Sequence, residues 1–358
     1  MRAAVALARR GLGQTWPNPS VGCVIVREGR VVGRGTTAPG GRPHAEAVAL
    51  AMAGEAARGA TAYVTLEPCS HQGRAGPCAD ALAVAGVSRV VVACGDPDPR
   101  VDGAGIARLR AAGVVVETGL DAGTAAEGLA GFLARVRLGR PLVTLKLATT
   151  LDGRIATQAG ESRWITGPAA RRATHAMRAR HDGVMVGIGT VLADNPDLTC
   201  RIAGMKQVPH VRVVLDSTLR TSPGSRVAAT ARDAPTWVLH RPDADPARAA
   251  ALEACGVRLM AAPGGASGLD LHEALQALGC AGLTSVLAEG GAGVAAGLLR
   301  AGLVDRVAWF HAPSVMGADG WPAAQALGIA SLPAMPRFTR TATRPLGADM
   351  LTELTRAA

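Results

Sequence analysis

The chain has 358 residues, of which 48% are hydrophobic and 18% are charged. This composition is typical of globular proteins, and the length favours two domains over one. The formal net charge of +10 favours anionic ligands. Because the basic residues are scattered rather than gathered into a run, we expect small phosphorylated ligands and no binding to nucleic acid.

Seven cysteines are spread from Cys23 to Cys280. An odd number in a chain too long to need cross-links indicates reduced thiols. The apolar run within Met1–Ala8 is too short for a secretion signal, and no stretch reaches the roughly 18 apolar residues of a membrane helix. We therefore expect a cytoplasmic protein without a membrane segment.

Short β-branched stretches alternate with alanine-rich helical stretches in the first part of the chain. The expected helices include His44–Met52 and Cys78–Val84, and Gly54 and Gly86 stand where helices should end. This alternation predicts an α/β fold with a mixed sheet flanked by helices. The expected strands are Gly22–Val26, Val31–Gly35, Tyr63–Leu66, Arg89–Ala93 and Val114–Glu117.

A domain boundary is expected at Gly139, which ends a predicted helix over Asp121–Leu138. We therefore expect one domain over residues 1–139 and a second over residues 140–358. The second domain repeats the α/β alternation. Its expected strands are Leu142–Leu147, Gly183–Val186, Val211–Leu215, Trp237–Leu239, Val257–Met260, Ser285–Glu289 and Arg306–Phe310.

Residue types that bind zinc occur together in the first domain. His44 opens a predicted helix, Cys69 follows a predicted strand, and Cys78 comes eight residues beyond it. A catalytic zinc uses three protein ligands and keeps a fourth position open, whereas structural sites usually have four ligands. We therefore predict a catalytic zinc held by His44, Cys69 and Cys78. Glu46 lies two residues from a ligand and is predicted to move protons without binding the metal.

Each part of this pattern is weak by itself, because a His-x-Glu pair on a helix is common and a lone cysteine is usually buried filler. Their occurrence in order, with strand, loop and helix between them, favours the zinc deaminase arrangement of His-x-Glu followed by Pro-Cys. The spacing between the two cysteines is longer than in the usual arrangement. His71 is an alternative metal ligand, although we favour a substrate contact for it.

Longer motifs surround these residues. They are Thr15–Cys23, Glu67–Arg74, Lys146–Ala156, Ser162–Gly167, Val186–Pro196 and Glu289–Gly293. Over essentially the whole chain they resemble the bifunctional deaminase/reductase of riboflavin biosynthesis. The resemblance implies a cytidine-deaminase-like first domain and a second domain similar to dihydrofolate reductase.

The resemblance also implies two reactions. The first domain would use zinc to hydrolyse the 2-amino group from 2,5-diamino-6-(5-phosphoribosylamino)pyrimidin-4-one. The second would use NADPH to reduce the ribosyl group of 5-amino-6-(5-phosphoribosylamino)uracil to ribityl. We also expect a homo-oligomer, either a dimer or a tetramer.

The resemblance assigns binding residues in both domains. Substrate contacts in the first domain fall to Asn18, His71 and Arg74. Cofactor contacts in the second fall to Ala148, Trp164, Thr190, Asp194, Ser217 and the loop formed by Gly291, Ala292, Gly293, Val294, Ala295, Ala296 and Gly297. Substrate contacts there fall to Ser162, Arg178, Leu198, Arg201 and Glu289. We expect Arg178 and Arg201 to clamp the sugar phosphate, because guanidinium forks match phosphate oxygens.

Two departures from the family pattern stand out. Gln72 and Ala75-Gly76 replace the usual His and Thr-Pro, and Asp98 stands where Asn is typical. Gln72 can still donate a hydrogen bond, whereas Asp98 exchanges a donor and an acceptor for acceptors alone.

Other functions fit part of the pattern. A nucleoside or nucleic-acid zinc deaminase with an accessory nucleotide-binding domain predicts a basic surface and, for nucleic acid, salt-dependent binding. A non-catalytic protein with a structural zinc needs a fourth ligand. A bifunctional fold with one working half would sooner lack the reductase, whose site is less distinctive.

Overall fold

The computed structural model describes residues 1–72, 76–205, 208–265 and 268–357. The chain divides into two compact units, Met1–Gly139 and Arg140–Ala358. The expected α/β architecture is confirmed, because each unit is a mixed sheet accompanied by helices.

The first unit is built on five strands. They are β1 (Gly22–Arg27), β2 (Arg30–Thr36), β3 (Thr61–Leu66), β4 (Arg89–Cys94) and β5 (Val115–Thr118). Its helices are α1 (Arg2–Arg10), α2 (Ala45–Ala53), α3 (Cys78–Val84), α4 (Ala104–Ala111) and α5 (Ala122–Leu138). The sheet order is β2-β1-β3-β4-β5, with β1 antiparallel to both neighbours and β3, β4 and β5 parallel. Small and β-branched side chains such as Ala62, Val64 and Val92 are fully buried in its core.

The second unit contains a nine-stranded sheet. The strands of this unit are β6 (Leu142–Thr149), β7 (Arg154–Ala156), β8 (Gly183–Gly187), β9 (Val211–Leu215), β10 (Thr236–His240), β11 (Arg258–Ala261), β12 (Gly264–Gly265), β13 (Gly268–Leu269), β14 (Ser285–Ala288), β15 (Arg306–His311), β16 (Trp321–Pro322), β17 (Phe338–Leu346) and β18 (Asp349–Arg356). The helices are α6 (Pro168–Arg180), α7 (Ile188–Asp194), α8 (Arg226–Ala229), α9 (Pro246–Ala254), α10 (Leu271–Cys280) and α11 (Ala292–Arg300).

The order of the large sheet is β11-β10-β9-β8-β14-β6-β15-β18-β17. The first seven strands in this order, from β11 through to β15, are parallel to one another. Strand β18 is antiparallel to both β15 and β17. Short two-stranded ladders join β12 to β13 and β7 to β16. The parallel strands therefore end at one common edge, which is where α/β proteins bind their ligands.

Several elements were not named from the sequence, among them helix α1, helix α4 and the hairpin of β17 and β18. Helix α1 buries Ala4, Val5 and Ala8. Gly22 is required beneath it, because a Cβ there would lie 1.9 Å from the carbonyl oxygen of Ala4. Strand β17 is mostly exposed at the edge of its sheet, so it lacks the alternating apolar pattern that marks a strand in a sequence.

Among the described residues, no helix is both long and apolar enough to cross a membrane. All seven cysteines are free thiols.

Candidate active sites of the two units

The predicted zinc ligands lie at the ends of three elements that meet on one side of the first unit. His44 is the residue before α2, Glu46 lies in the first turn of that helix, and Cys78 is the first residue of α3. Helix α2 packs directly on β2, because Gly35 offers no Cβ where one would lie 2.3 Å from the carbonyl oxygen of Ala45. Cys69 follows the end of β3. These local elements fix where each side chain begins.

The structure brings the three predicted ligands together. His44 Nδ1 lies 3.4 Å from the Sγ of Cys78 and 3.7 Å from the Sγ of Cys69, and the three ligand atoms all lie within 4.8 Å of one another. Tetrahedral zinc with ordinary Zn–S and Zn–N bonds separates sulfur from nitrogen by about 3.6 Å. The donor set therefore fits zinc in both chemistry and spacing.

The group contains three ligands and not four. Across the part of the chain that the structure describes, His71 does not join it, and no Asp or Glu does so either. This arrangement matches a catalytic site with an open position rather than a closed structural site. The alternative of His71 as a metal ligand has no support in the geometry.

The protein environment prepares both a thiolate and a carboxyl group with a pKa near neutrality. A hydrogen bond from Cys78, with further help from His44, lowers the pKa of the Cys69 thiol to about 4. The backbone N–H of Cys78 also donates to the Sγ of Cys69 at 3.3 Å. Burial raises the pKa of the Glu46 carboxyl to about 7, a value suited to taking up and returning protons near neutral pH.

A cavity of about 240 Å³ opens beside this group, and its walls include His44, Glu46, Asn18 and His71. Asn18 Nδ2 donates to the carbonyl oxygen of Gly41 at 2.7 Å, so Asn18 also fixes the turn before His44. The Nδ1 of His71 is buried and has no hydrogen-bond partner in the structure. Two of the three predicted substrate residues, Asn18 and His71, therefore line the cavity. The third, Arg74, lies outside the described residues.

Sequence reasoning missed several walls of this cavity, among them Asp96 and Arg100. Burial raises the pKa of the Asp96 carboxyl to about 6. Asp98, the residue that departs from the family pattern, receives a hydrogen bond from Arg100, and this contact lowers the pKa of Asp98 to about 2. Asp98 therefore lines the cavity as a carboxylate whose charge is balanced by Arg100.

Glu67 was quoted in a motif but given no role. Its buried carboxylate accepts hydrogen bonds from the backbone N–H groups of Gly105 at 2.9 Å, Ile106 at 3.1 Å, Gly103 at 3.2 Å and Asp96 at 3.4 Å. No spacing in the sequence signals this role, because the donors lie 29 to 39 residues away and are backbone groups.

In the second unit, predicted residues gather at the carboxyl edge of the parallel strands. Ala148 lies near the end of β6, Thr190 lies in α7 after β8, Ser217 follows β9, and Glu289 follows β14. These four strands are consecutive neighbours in the sheet. The fold therefore brings residues from distant parts of the chain to one cleft edge.

The glycine-rich turn after β14 leads into helix α11. The N–H of Gly291 donates to the Oγ1 of Thr190 at 3.3 Å, which joins two of the predicted cofactor residues. Gly291 and Gly293 are exposed, with the partly exposed Ala292 between them and the partly exposed Val294 after them. Ala295 and Ala296 are completely buried, so their side chains pack in the core and only the first turn of this segment is open to a ligand. A Cβ at Gly297 would meet Leu271 at 2.8 Å, so this last residue of the predicted loop is also packed against protein.

Arg178 and Glu289 form a buried ion pair. Arg178 Nε and Nη2 donate to the two carboxylate oxygens at 2.6 and 2.8 Å, and Nη1 donates to the carbonyl oxygen of Thr199. Burial opposes ionisation of Glu289, but the Arg178 guanidinium prevails and lowers its pKa to about 2. The fork of Arg178 is therefore engaged by protein, which differs from the phosphate clamp expected from the sequence.

Lys146 is partly buried near this pair. Burial lowers the pKa of its ammonium group, while the charge of Glu289 acts in the opposite direction. A lysine in this setting holds its proton less tightly than an exposed one, which suits a proton donor.

A second open region of the same unit contains Trp164 and Arg201. Both line a cavity of about 580 Å³ with Arg171 and His175. The Trp164 side chain is 65% exposed and lies against the Arg171 guanidinium, 4.5 Å from ring centroid to guanidinium carbon. The Trp164 side chain is therefore accessible to a ligand at the surface and is not packed in the core.

The remaining predicted residues are placed individually. Asp194 pairs with Arg163 at 3.0 Å, and Ser162 is partly exposed next to that arginine. Leu198 is buried, and its carbonyl oxygen lies 2.6 Å from the Nε2 of His210. Leu198 can therefore offer little more than backbone to a ligand.

Comparison with known proteins finds one family model for each unit. A family model described as the RibD C-terminal domain matches residues 141–352. A second, described as the zinc-binding region of cytidine and deoxycytidylate deaminases, matches residues 1–94.

Whole-chain relatives lead to the same family. The riboflavin biosynthesis protein RibD of Escherichia coli is 41% identical over 374 residues, which cover 99% of this chain and 98% of the relative. The solved structure of Acinetobacter baumannii RibD has a TM-score of 0.90 at 37% identity and covers 100% of this chain and 98% of its own. A Thermotoga maritima structure, described as a diaminohydroxyphosphoribosylaminopyrimidine deaminase/5-amino-6-(5-phosphoribosylamino)uracil reductase, has a TM-score of 0.86 at 34% identity, covering 100% and 97%. The chain belongs to the RibD family of bifunctional riboflavin biosynthesis enzymes, with a zinc deaminase domain followed by a reductase domain.

Proposed function

We propose that the first unit hydrolyses the 2-amino group from 2,5-diamino-6-(5-phosphoribosylamino)pyrimidin-4-one. The observation that carries this proposal is the group of His44, Cys69 and Cys78, which lies with Glu46 next to a cavity. The substrate named for the Thermotoga maritima relative supports the choice of pyrimidine.

In this reaction the three ligands hold zinc, which supplies a Lewis acid that makes water acidic near neutral pH. Glu46 accepts a proton from the attacking water and returns protons to the ring nitrogen and the leaving amine. Its buried carboxyl, with a pKa of about 7, can do both. His71 and Asn18 contact the substrate from the cavity walls.

The second unit reduces the ribosyl group of 5-amino-6-(5-phosphoribosylamino)uracil to ribityl. Ala148, Thr190, Ser217 and Gly291, together with Trp164 and Asp194, would hold NADPH, which would supply the hydride. The reduction adds hydrogen at C1′ of the substrate, opens the C1′–O4′ bond and leaves a proton on O4′. The open glycine backbone at the start of α11 suits a phosphate group.

Glu289, Ser162, Leu198 and Arg201 bind the second substrate. Arg178 acts through its ion pair by holding the Glu289 carboxylate in place. Lys146, partly buried and with a lowered pKa, donates the proton to O4′.

The protein works in the cytoplasm as a homo-oligomer, a dimer or a tetramer. Free thiols at two of the zinc ligands are typical of a reducing compartment. The exposed edge strand β17 offers backbone groups to a second copy of the chain. Light scattering of the purified protein measures the number of subunits directly.

One experiment tests both reactions. The purified chain, with zinc measured per subunit, receives the phosphoribosyl diaminopyrimidinone with and without NADPH or NADH. Ammonia should appear without either nucleotide, and NADPH should be oxidised only after deamination. Absence of ammonia from a zinc-loaded protein would reject the first proposal, and equal use of NADH would reject the choice of NADPH.

A further inference from the structure

Among the residues that the structure describes, three arginines line the cavity beside the zinc ligands: Arg42, Arg100 and Arg135. Two of them already have partners. The guanidinium of Arg100 forms a two-pronged contact with the Asp98 carboxylate, and Arg135 Nη1 donates to the carbonyl oxygen of Pro17 at 2.9 Å. Arg42 takes part in no ion pair among the described residues.

The acidic residues of the cavity, Glu46, Glu67, Asp96 and Asp98, form no ion pair with Arg42 among the described residues. Glu67 is occupied by four backbone N–H groups, and Asp98 is paired with Arg100. Arg42 also lines a second cavity, of about 730 Å³, that shares His44, Cys69 and His71 with the first. It is therefore a partly exposed cation at the border of two spaces next to the reacting centre.

The backbone around Arg42 is held in place. Gly41, with a φ of +86°, lies against Asn18, because a Cβ there would be 2.8 Å from Asn18 Nδ2 and 2.7 Å from the carbonyl oxygen of Thr15. The Asn18 hydrogen bond to the Gly41 carbonyl reinforces this turn. An arginine on a fixed backbone turn loses less entropy on binding an anion than one on a mobile segment.

We propose that Arg42 binds the phosphate group of the first substrate and makes the deaminase selective for the phosphorylated pyrimidine. The inference rests on the proposed deamination, whose substrate carries the reacting base and a phosphate on one molecule. With the base in the cavity, the phosphate needs an unpaired cation nearby, and a guanidinium fork matches phosphate oxygens.

The test compares the phosphorylated substrate with its dephosphorylated riboside. In R42A, kcat/KM for the phosphorylated substrate should fall about 10- to 100-fold, mainly through KM, because a charge-assisted hydrogen bond is lost. The riboside should change less than about twofold, and R42K should recover part of the loss. Arg34→Ala serves as the matched control, since Arg34 is an exposed arginine of β2 that is not among the cavity residues.

Binding without turnover gives an independent measurement. Titration of zinc-loaded E46Q and E46Q/R42A with the phosphorylated substrate should show a Kd raised by the same factor in the double variant, at equal zinc content. Equal losses for both substrates, or no loss, would overturn the proposal, as would a selective loss in Arg74→Ala, Arg100→Ala or Arg135→Ala but not in R42A. Failure of the wild-type protein to release ammonia would reject the deamination itself, whereas the binding titration still tests Arg42.

Discussion

The two units build their sites in different ways. In the first, three zinc-ligand atoms lie within 4.8 Å of one another, at the ends of α2, β3 and α3. In the second, residues spread over the ends of four parallel strands are connected by a buried guanidinium–carboxylate pair. The first site is therefore completed by an ion, whereas the second is already balanced by protein charges. Loss of one side chain should therefore weaken ligand binding in the first unit and lower the stability of the fold in the second.

The strongest test of this contrast removes a zinc ligand. Cys69→Ala should abolish both zinc binding and ammonia release, because two remaining ligands cannot hold the metal tightly. Reduction of the deaminated substrate should persist. Zinc analysis and separate assays of the two reactions measure this, and Cys94→Ala, a free cysteine outside the group, should keep its zinc. Parallel loss of both activities in C69A would show that the units are not independent.

A change at Glu46 should separate the metal from the chemistry. Glu46→Gln should lower the rate of ammonia release by about 10²- to 10⁴-fold, the usual contribution of a general acid–base residue. Zinc content should stay at the wild-type value. A variant that lost its zinc would instead make Glu46 part of the metal-binding group.

The buried pair of the second unit predicts an effect on stability. Arg178→Ala leaves the Glu289 carboxylate buried without its partner and should cost about 3–5 kcal/mol in unfolding free energy. Chemical denaturation monitored on the second unit measures it. The control is Arg89→Ala, which breaks an exposed pair with Glu117 and should change the unfolding free energy far less, because water screens exposed charges. Similar costs for the two variants would remove the contrast between the units.

The same pair predicts a pH dependence. The pKa of Glu289 is lowered from 4.5 to about 2, so its stabilising effect is present above pH 4.5 and is lost as the pH falls toward 2. The loss should be roughly 3 kcal/mol, from a pKa shift converted at about 1.4 kcal/mol per unit. Denaturation curves over this range measure it, and Glu289→Gln should flatten this part of the profile. A profile unchanged by the substitution would contradict the assignment.

The smallest effect is expected at the glycine-rich turn. A Cβ at Gly291 has its nearest neighbour at 3.8 Å, whereas a Cβ at Gly290 would lie 3.0 Å from the N of Gly187. Gly291→Ala should therefore fold normally but raise the KM for NADPH by about tenfold or less, because the methyl group obstructs the cofactor phosphate. Gly290→Ala should lower the melting temperature instead. An unchanged KM for NADPH in G291A would indicate that the cofactor does not bind at this turn.

The zinc group could be predicted from the sequence because each ligand lies at the end of a local element. His44 and Cys78 stand at the starts of helices and Cys69 follows a strand, so short-range patterns suffice once the fold is a mixed sheet. The engagement of Arg178 by Glu289 could not be predicted in this way. The two residues are 111 positions apart, and only the order of the strands brings them into contact.

Burial also escaped sequence reasoning in the glycine-rich segment. The pattern treats Gly291–Gly297 as one loop, but the helix turns Ala295 and Ala296 into the core. A repeat of small residues serves helix packing and ligand approach equally well, so the sequence cannot divide the segment between them. The roles of Glu67 and Arg42 depend on which partners are already occupied, which is a property of the folded chain.

The four backbone hydrogen bonds to the Glu67 carboxylate affect how the deaminase can change over evolutionary time. Its carboxylate ties down Asp96 and Gly103, the two ends of a short loop, and it precedes Pro68-Cys69 in the chain. Substitutions between these ends alter the wall of the cavity while the metal ligands keep their places. Asp98, where the family resemblance leads us to expect Asn, lies between these ends and pairs with Arg100. The first unit can thus vary its choice of pyrimidine substituent without rebuilding its metal centre.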